Sequence, residues 1–405
     1  MVADQSFQFC GTLSASKSEL NRLLIVQSFA PQLQVLGGSA CDDVRYMREA
    51  LKVVLQGGDI SLDAGSAGTT FRFLALRLSR VSGRHLLRGS ESLLKRPQAE
   101  IIAVLSQLGV KAWLVKEGGR LTGMIIEGNG WIQPKNPLKI DGRESSQFAS
   151  AVLLAAWGLP FDLIIERSTE RSIATGPSQG YFDMTIGTLK NAGMQIHMTS
   201  QSFLTVLAGS RVTALSMKAE VDVSSAFAVA ALGVVGGKAT IKNFPARSMQ
   251  PDQVFVSILQ KMGVDIQLDG EVLIVNRTAN LAGIDQDLCG APDLFPLLAV
   301  LCSLAKSPSR LFGAKHLIHK ESNRLRETAA LLTCVGARFD LHDDGMTIHG
   351  GLIPIPLKDA HPFDPAQDHR MAMAAALLNL AGANLKILTP EVVDKSFPEF
   401  WDLFS

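Results

Sequence analysis

Apolar positions along the chain fall into blocks of two lengths. Short runs such as VTALSMKAEV, ATIKNF, EVLIVN and DGMTIHG predict strands. Longer runs such as SSAFAVAALGVVGG, QVFVSILQKMG and DLFPLLAVLCSLA predict helices. Gly- and Asp-rich turns separate the blocks throughout, so the chain is regular mixed α/β structure without linkers or low-complexity stretches. The order strand, helix, strand, helix, strand, strand recurs, which points to one supersecondary unit used several times.

Five stretches open alike: SKSELNRLLIVQSFA, AGTTFRFLALRLS, SSQFASAVLLAAWG, SSAFAVAALGVVGG and PDLFPLLAVLCSLA. Each begins with Ser, Thr or Asp, residues that cap free backbone N–H groups, and continues into small apolar residues suited to a buried helix. A period of roughly 65 residues predicts six such units, three in each half of the chain. Helix N-termini carry partial positive charge and unpaired donors, each worth roughly 0.3–1 kcal/mol to a nearby anion. A repeat that gathers several of them creates an anion site.

At 405 residues the chain exceeds one ordinary core and is read as two large domains. The hydrophobic fraction is high, 47%, yet no run reaches the ~18 apolar residues of a membrane span. The start, MVADQSFQFCGTLSASK, has no basic flank followed by an apolar block, so a soluble cytoplasmic protein is expected. Five cysteines, Cys10, Cys41, Cys289, Cys302 and Cys334, are scattered without any CxxC pair, which speaks against a disulfide framework or a zinc site. Cys302 and Cys334 sit in apolar runs as small core residues, Cys41 and Cys289 in polar surroundings. A net charge of +1 argues against a nucleic-acid surface, so any anion site must be local.

The charge that is present is concentrated. HKESNRLRET puts Lys320, Glu321, Arg324 and Arg326 into a chain that is only 19% charged. Helical spacing would set Lys320, Glu321 and Arg324 on one side of a helix start, with Leu325, Ala329 and Leu332 on a core face. Cations belong at helix C-termini, so these need an anion to hold them. In DHRMAMAAALLNLAG, Asp368 reads as an N-cap and Arg370 enters the first turn of an apolar helix, its guanidinium a fork matched to carboxylate or phosphate. Lys17, Arg22, Arg72, Arg96 and Lys395 are further cations in small or apolar contexts, and Asp293 and Glu321 are the acids beside them. Such a set can hold a polyanion and still move protons.

The stretches SKSELNR, AGSAGTTFR, LLKRP, SSQF, PSQGYFDMT, GAPD, KESNRL, DHRMAMA and DKSFP closely resemble, in order and spacing, the motifs of the 5-enolpyruvylshikimate-3-phosphate synthase family, from about Gly11 to Phe400. The resemblance implies two lobes, each an inverse α/β prism of three βαβαββ units. It places residues 1–15 and 218–405 in one lobe, 16–217 in the inserted other, and the active site in the cleft between them. It implies transfer of the enolpyruvyl group of phosphoenolpyruvate to the 5-hydroxyl of shikimate 3-phosphate by addition and elimination, in chorismate biosynthesis, with no metal or organic cofactor. It also implies a monomer whose partners are its two small-molecule substrates.

By motif position, Lys17 resembles the lysine that touches both substrates and takes part in proton transfer. Ser18, Arg22, Ser145, Ser146, Gln147, Ser178, Tyr181, Asp293 and Lys320 match contacts to shikimate 3-phosphate. Gly68, Arg96, Gln147, Arg324, Arg370 and Lys395 match the phosphoenolpyruvate pocket, Gly68 allowing close approach because it lacks a side chain. Asp293 corresponds to the base on the 5-hydroxyl, and Glu321 to the partner of Lys17 at the methylene carbon. The retained Gly68 implies sensitivity to glyphosate, a competitor at the phosphoenolpyruvate site.

The pattern is departed from at Ala15, Leu20, Ser66, Phe73, His316, Ile318 and Asn323. None of these removes a proton-transfer group. Two other readings compete with this one: a carboxyvinyl transferase with a different acceptor, such as a UDP-amino sugar, which would rely on a reactive loop cysteine, and a binding protein that has lost the chemistry.

Overall fold

The structure is a computed structural model that describes residues 7–143, 145–168, 179–200, 202–354 and 359–405. The chain divides into two compact units, Met1–Ser14 with Glu220–Ser405, and Ala15–Ala219. Each has its own hydrophobic core.

One motif builds both. In the first unit the strand Phe7–Gly11 runs parallel to Gly237–Ile241, which pairs antiparallel with Val272–Asn276, itself antiparallel to Ile266–Asp269. The same four-stranded arrangement recurs as Asp285–Asp287, Ser309–Phe312, Gly345–Ile348 and Phe339–His342. In the second unit it recurs twice more, in sheets that begin with Ser61–Asp63 and with Leu138–Asp141. Parallel pairing demands a crossover, and a buried helix supplies it in each case.

Two of the six expected units are shorter than predicted. Among the described residues, His361–Phe363 pairs only with Leu385–Ile387, and Gln34–Leu36 only with Ser216–Lys218. After Leu385–Ile387 the chain turns into 3-10 helices, Pro390–Lys395 and Pro398–Phe404, in place of a hairpin. The other pair joins two segments far apart in sequence, near the two ends of its unit.

Each core is organised around three helices that touch one another. They are Lys17–Gln27, Gly68–Leu78 and Gln147–Ala155 in the second unit, and Val223–Gly236, Phe295–Leu304 and His369–Leu380 in the first. Their side chains are buried on nearly every face, from Phe71, Phe73 and Phe148 to Phe227, Phe295 and the alanines Ala372, Ala374, Ala375 and Ala376. Each fully buried Leu or Phe contributes roughly 1.5–3 kcal/mol, so these helices anchor the units. The outer helices, Asp42–Val54 among them, bury one face and present charge on the other.

Capping is mixed. Ser16 and Asp368 accept from the N–H groups of Glu19 and Arg370, as the sequence predicts, while Asp222, two residues ahead of the predicted start at Ser224, accepts from the N–H of Ser225. The helices starting at Gly68 and Gln147 have no side-chain cap, and Phe295 continues a 3-10 turn, Pro292–Leu294, instead of following a capping residue. Cys41 and Cys289 are also buried, contrary to their polar sequence context, Cys41 at the start of the helix Asp42–Val54 and Cys289 just ahead of the turn Pro292–Leu294. No helix among the described residues is long and apolar enough to cross a membrane.

Candidate functional site

In the unit formed by residues 1–14 and 220–405, the polar residues gather at helix starts. The helix Arg324–Cys334 begins later than the charge spacing predicts: a 3-10 turn, Lys315–His319, precedes it, and Lys320 and Glu321 lie on the connecting loop. Asn323 caps it by accepting from the N–H of Arg326, so the departure from Asp leaves the cap intact.

Arg324, the first residue of that helix, is 1% exposed and is the hub of the cluster. Its Nε donates to Asp368 Oδ2 at 2.7 Å, Nη1 to Asp293 Oδ1 at 2.7 Å and Nη2 to Glu321 Oε2 at 2.9 Å. A buried cation at a helix N-terminus opposes the helix dipole, and here three carboxylates reverse the balance. Burial works against the charged guanidinium, but Asp368, Glu321 and Asp293 outweigh it and hold its pKa well above the ordinary arginine value.

Asp293 sits on the turn Pro292–Leu294 with its side chain about one-fifth exposed. It also accepts from Arg370 Nη2 at 2.9 Å and lies 3.6 Å from Lys320 Nζ. Burial favours its neutral form, yet Arg370, Lys320 and Arg324 together drive its pKa well below the usual carboxylate range. Lys320 moves down from its ordinary value, chiefly by burial. Glu321 Oε1 lies 3.9 Å from Lys395 Nζ. His316, a departure from the family pattern, is buried, and burial followed by the charge of Lys320 lowers its pKa to about 3. It is therefore neutral at physiological pH and adds no further charge.

In the unit formed by residues 15–219 the three buried helices again open onto polar groups. Lys17 heads its helix and its Nζ pairs with Asp43 Oδ2 at 3.0 Å, Asp43 being in the first turn of the neighbouring helix Asp42–Val54. One turn on, Arg22 is buried, donating to Thr185 Oγ1 at 2.8 Å and to the carbonyls of Ser18 and Tyr181 at 2.7 and 2.9 Å. Burial lowers its pKa to about 10. It thereby ties Ser18 to Tyr181 while keeping its charge at neutral pH.

Gly68, Arg96, Ser145 and Gln147 also come together. Arg72 Nη1 donates to Gln147 Oε1 at 2.7 Å and to Ser145 Oγ at 3.4 Å, while its guanidinium lies over the Phe148 ring. Gln147 Nε2 donates to Thr69 Oγ1 at 3.1 Å. A Cβ on Gly68 would stand 3.3 Å from Gln147 Oε1 and 3.5 Å from Arg96 Nη1, so the backbone of this helix start directly borders both side chains. Ser146 is buried beside them. Ser178 lies outside the described residues.

Three residues, Asp43, Arg167 and Asp252, escaped the sequence reading, and of Asp368 only the cap was read. Asp43 reads as an ordinary first-turn acid, and the partnership of Asp368 with Arg324 spans loops with no local signal. Arg167, buried, donates to Gln179 Oε1 and stacks on Phe182. Asp252 lies in QPDQVF, whose Pro-Asp pair repeats the one in GAPDLFP, the only trace that could have drawn attention to it.

The fold is that of the enolpyruvyl transferases. The EPSP synthase of Acinetobacter baumannii superposes with a TM-score of 0.74 at 21% identity, covering 98% of this chain and 95% of that one. The enolpyruvyl transferase NikO of Streptomyces tendae superposes with a TM-score of 0.70 at 15% identity over 98% and 94%. The sequence profile of EPSP synthase (3-phosphoshikimate 1-carboxyvinyltransferase) matches residues 10–404, and the chain belongs to that family. A 3-phosphoshikimate 1-carboxyvinyltransferase of Methanoculleus marisnigri is 34% identical over 353 residues, 85% of this chain and 79% of the relative. That of Methanoregula boonei is 30% identical over 440 residues, covering 100% and 98%.

Proposed function

We propose that the protein transfers the carboxyvinyl group of phosphoenolpyruvate to the 5-hydroxyl of shikimate 3-phosphate. The observation that supports it most is the Arg324 hub, which holds two acids, Asp293 and Glu321, beside Lys320, Arg370 and Lys395. Two anionic substrates need several fixed cations, and the chemistry needs an acid and a base among them.

In this reading Asp293 takes the proton of the 5-hydroxyl as its oxygen attacks C2 of phosphoenolpyruvate, while Lys17 and Glu321 deliver a proton to C3. A tetrahedral adduct results. Removing a proton from C3 re-forms the double bond as the C2–O bond to phosphate breaks, and phosphate leaves. Ser18, Arg22, Ser145, Ser146, Gln147, Ser178, Tyr181 and Lys320 would hold shikimate 3-phosphate. Gly68, Arg96, Arg324, Arg370 and Lys395 would hold phosphoenolpyruvate, with Arg324 chiefly positioning the two acids because most of its donors are already engaged.

The acceptor is tested by following phosphate release with shikimate 3-phosphate or a UDP-amino sugar. Release with the first alone is expected, and release with the second alone would move the protein to the related reaction. Gly68→Ala should raise the KM for phosphoenolpyruvate about tenfold, an effect near 1.4 kcal/mol, with an unchanged melting temperature. The new methyl group meets Gln147 Oε1 at 3.3 Å, so that side chain must shift by a few tenths of an ångström. The same substitution should weaken competitive inhibition by glyphosate, which this reading assigns to the same pocket. Steady-state kinetics with and without glyphosate checks both, and an unchanged KM would remove Gly68 from the pocket.

A further inference from the structure

We propose that Asp252 is a positioning residue for the base, its sealed carboxylate setting how strongly Asp293 holds a proton; the proposal rests on the reading of Asp293 as base. Two Pro-Asp turns, Pro251–Val254 and Pro292–Leu294, pack against the same helix, Val223–Gly236. The first buries its carboxylate and the second leaves it partly open: Asp252 is 1% exposed, whereas the Asp293 side chain is 20% exposed. Asp252 Oδ2 accepts from Ser224 Oγ at the start of that helix, and Oδ1 has no hydrogen-bond partner among the described residues. A buried carboxylate oxygen without a donor is costly when ionised, so the group is poised to hold a proton.

The charged groups acting on Asp252 are Asp293 from the second turn, Arg370 from the helix His369–Leu380 and Asp222 from the cap of Val223–Gly236. Burial, then the negative charge of Asp293, pushes its pKa up to about 6. Asp293 faces the opposite difficulty. Arg370, Lys320 and Arg324 hold it so acidic that it would accept a proton from a hydroxyl only weakly, and Glu321 opposes them in part. A second negative charge nearby restores basicity. Asp252 supplies it once the pH exceeds about 6.

The test is the pH profile of kcat at saturating phosphoenolpyruvate and shikimate 3-phosphate. The wild type should show an acid limb, which this proposal assigns to Asp252 in the substrate-bound enzyme. Asp252→Asn should lose that limb and turn over about tenfold more slowly near pH ~7.5, the size of a one-unit fall in the basicity of Asp293, with both KM values unchanged. Ser224→Ala should keep the limb but move it to higher pH, because the hydroxyl stabilises the ionised carboxylate. An Asp252→Asn enzyme with the wild-type profile, or a limb that Ser224→Ala leaves in place, would overturn the proposal. Should Asp252→Asn fail to fold, the Ser224→Ala profile decides alone. Asp293→Asn separates the two levels: if it is inactive while Asp252→Asn behaves as wild type, only the role of Asp252 falls, whereas an active Asp293→Asn takes down the base as well.

Discussion

Glu321→Ala and Lys17→Met should each lower turnover at least ~100-fold while the folded protein persists, because the proposed mechanism has each handle the proton at C3. The size of the loss discriminates between two roles. An ion pair at a solvated surface is worth only ~0–1 kcal/mol, and its removal would scarcely alter a rate. A preorganised group facing developing charge is worth ~2.7–4 kcal/mol, or ~10²–10³ in rate. Glu321 can be removed without collapse because Arg324 keeps Asp368 and Asp293 as partners. Lys17 pairs with Asp43 at a partly exposed position, so its replacement leaves the helix packing of Leu20, Leu23 and Leu24 intact. The check is kcat beside circular dichroism and a melting curve, and folded variants with near-normal turnover would refute both assignments.

Arg324→Ala should behave differently, losing stability as well as activity. The guanidinium is the shared partner of three carboxylates, one of them, Asp368, fully buried. Removing one side of a buried ion pair typically costs about 3–5 kcal/mol, because the stranded charge has no water to turn to. We expect a loss of that size in denaturant unfolding, with turnover below detection. Arg324→Lys should recover only part of the stability, since an ammonium cannot span Asp368, Asp293 and Glu321 as a planar fork does. Arg370→Ala serves as a control: its main effect should be on activity, since Asp293 keeps Arg324 and Lys320. Equal, small stability losses for both alanine variants would contradict the hub.

The buried helices were legible in the sequence because their apolar character is continuous, as in AFAVAALGVV and MAMAAALLNL. Their immediate neighbours were legible too, since a strand followed by a tight turn and a second strand leaves a local mark in EVLIVN and DGMTIHG. What escaped was long-range: the pairing of Gln34–Leu36 with Ser216–Lys218 depends on segments that carry no signal of each other. The same distinction holds for the site. Arg324 and Arg370 stood out because a cation at the start of a helix opposes the dipole and calls for an anion, whereas Lys17 stood out as a cation in a run of small and apolar residues. The anions that answer, Asp43 and Asp368, come from other elements and look like routine helix-start acids when read alone. Spacing also misplaced Lys320 and Glu321 on the helix, because nothing in HKESNRLRET shows that the preceding turn is 3-10.

The most direct test of the account is a phosphate-release measurement with purified protein and phosphoenolpyruvate, with and without shikimate 3-phosphate, for the wild type and for Lys17→Met and Asp293→Asn, one from each unit. The account predicts rapid release only when both substrates are present, one carboxyvinyl product per phosphate, and loss of at least ~100-fold in either variant. Release from phosphoenolpyruvate alone, or full release in a variant of either unit, would contradict it.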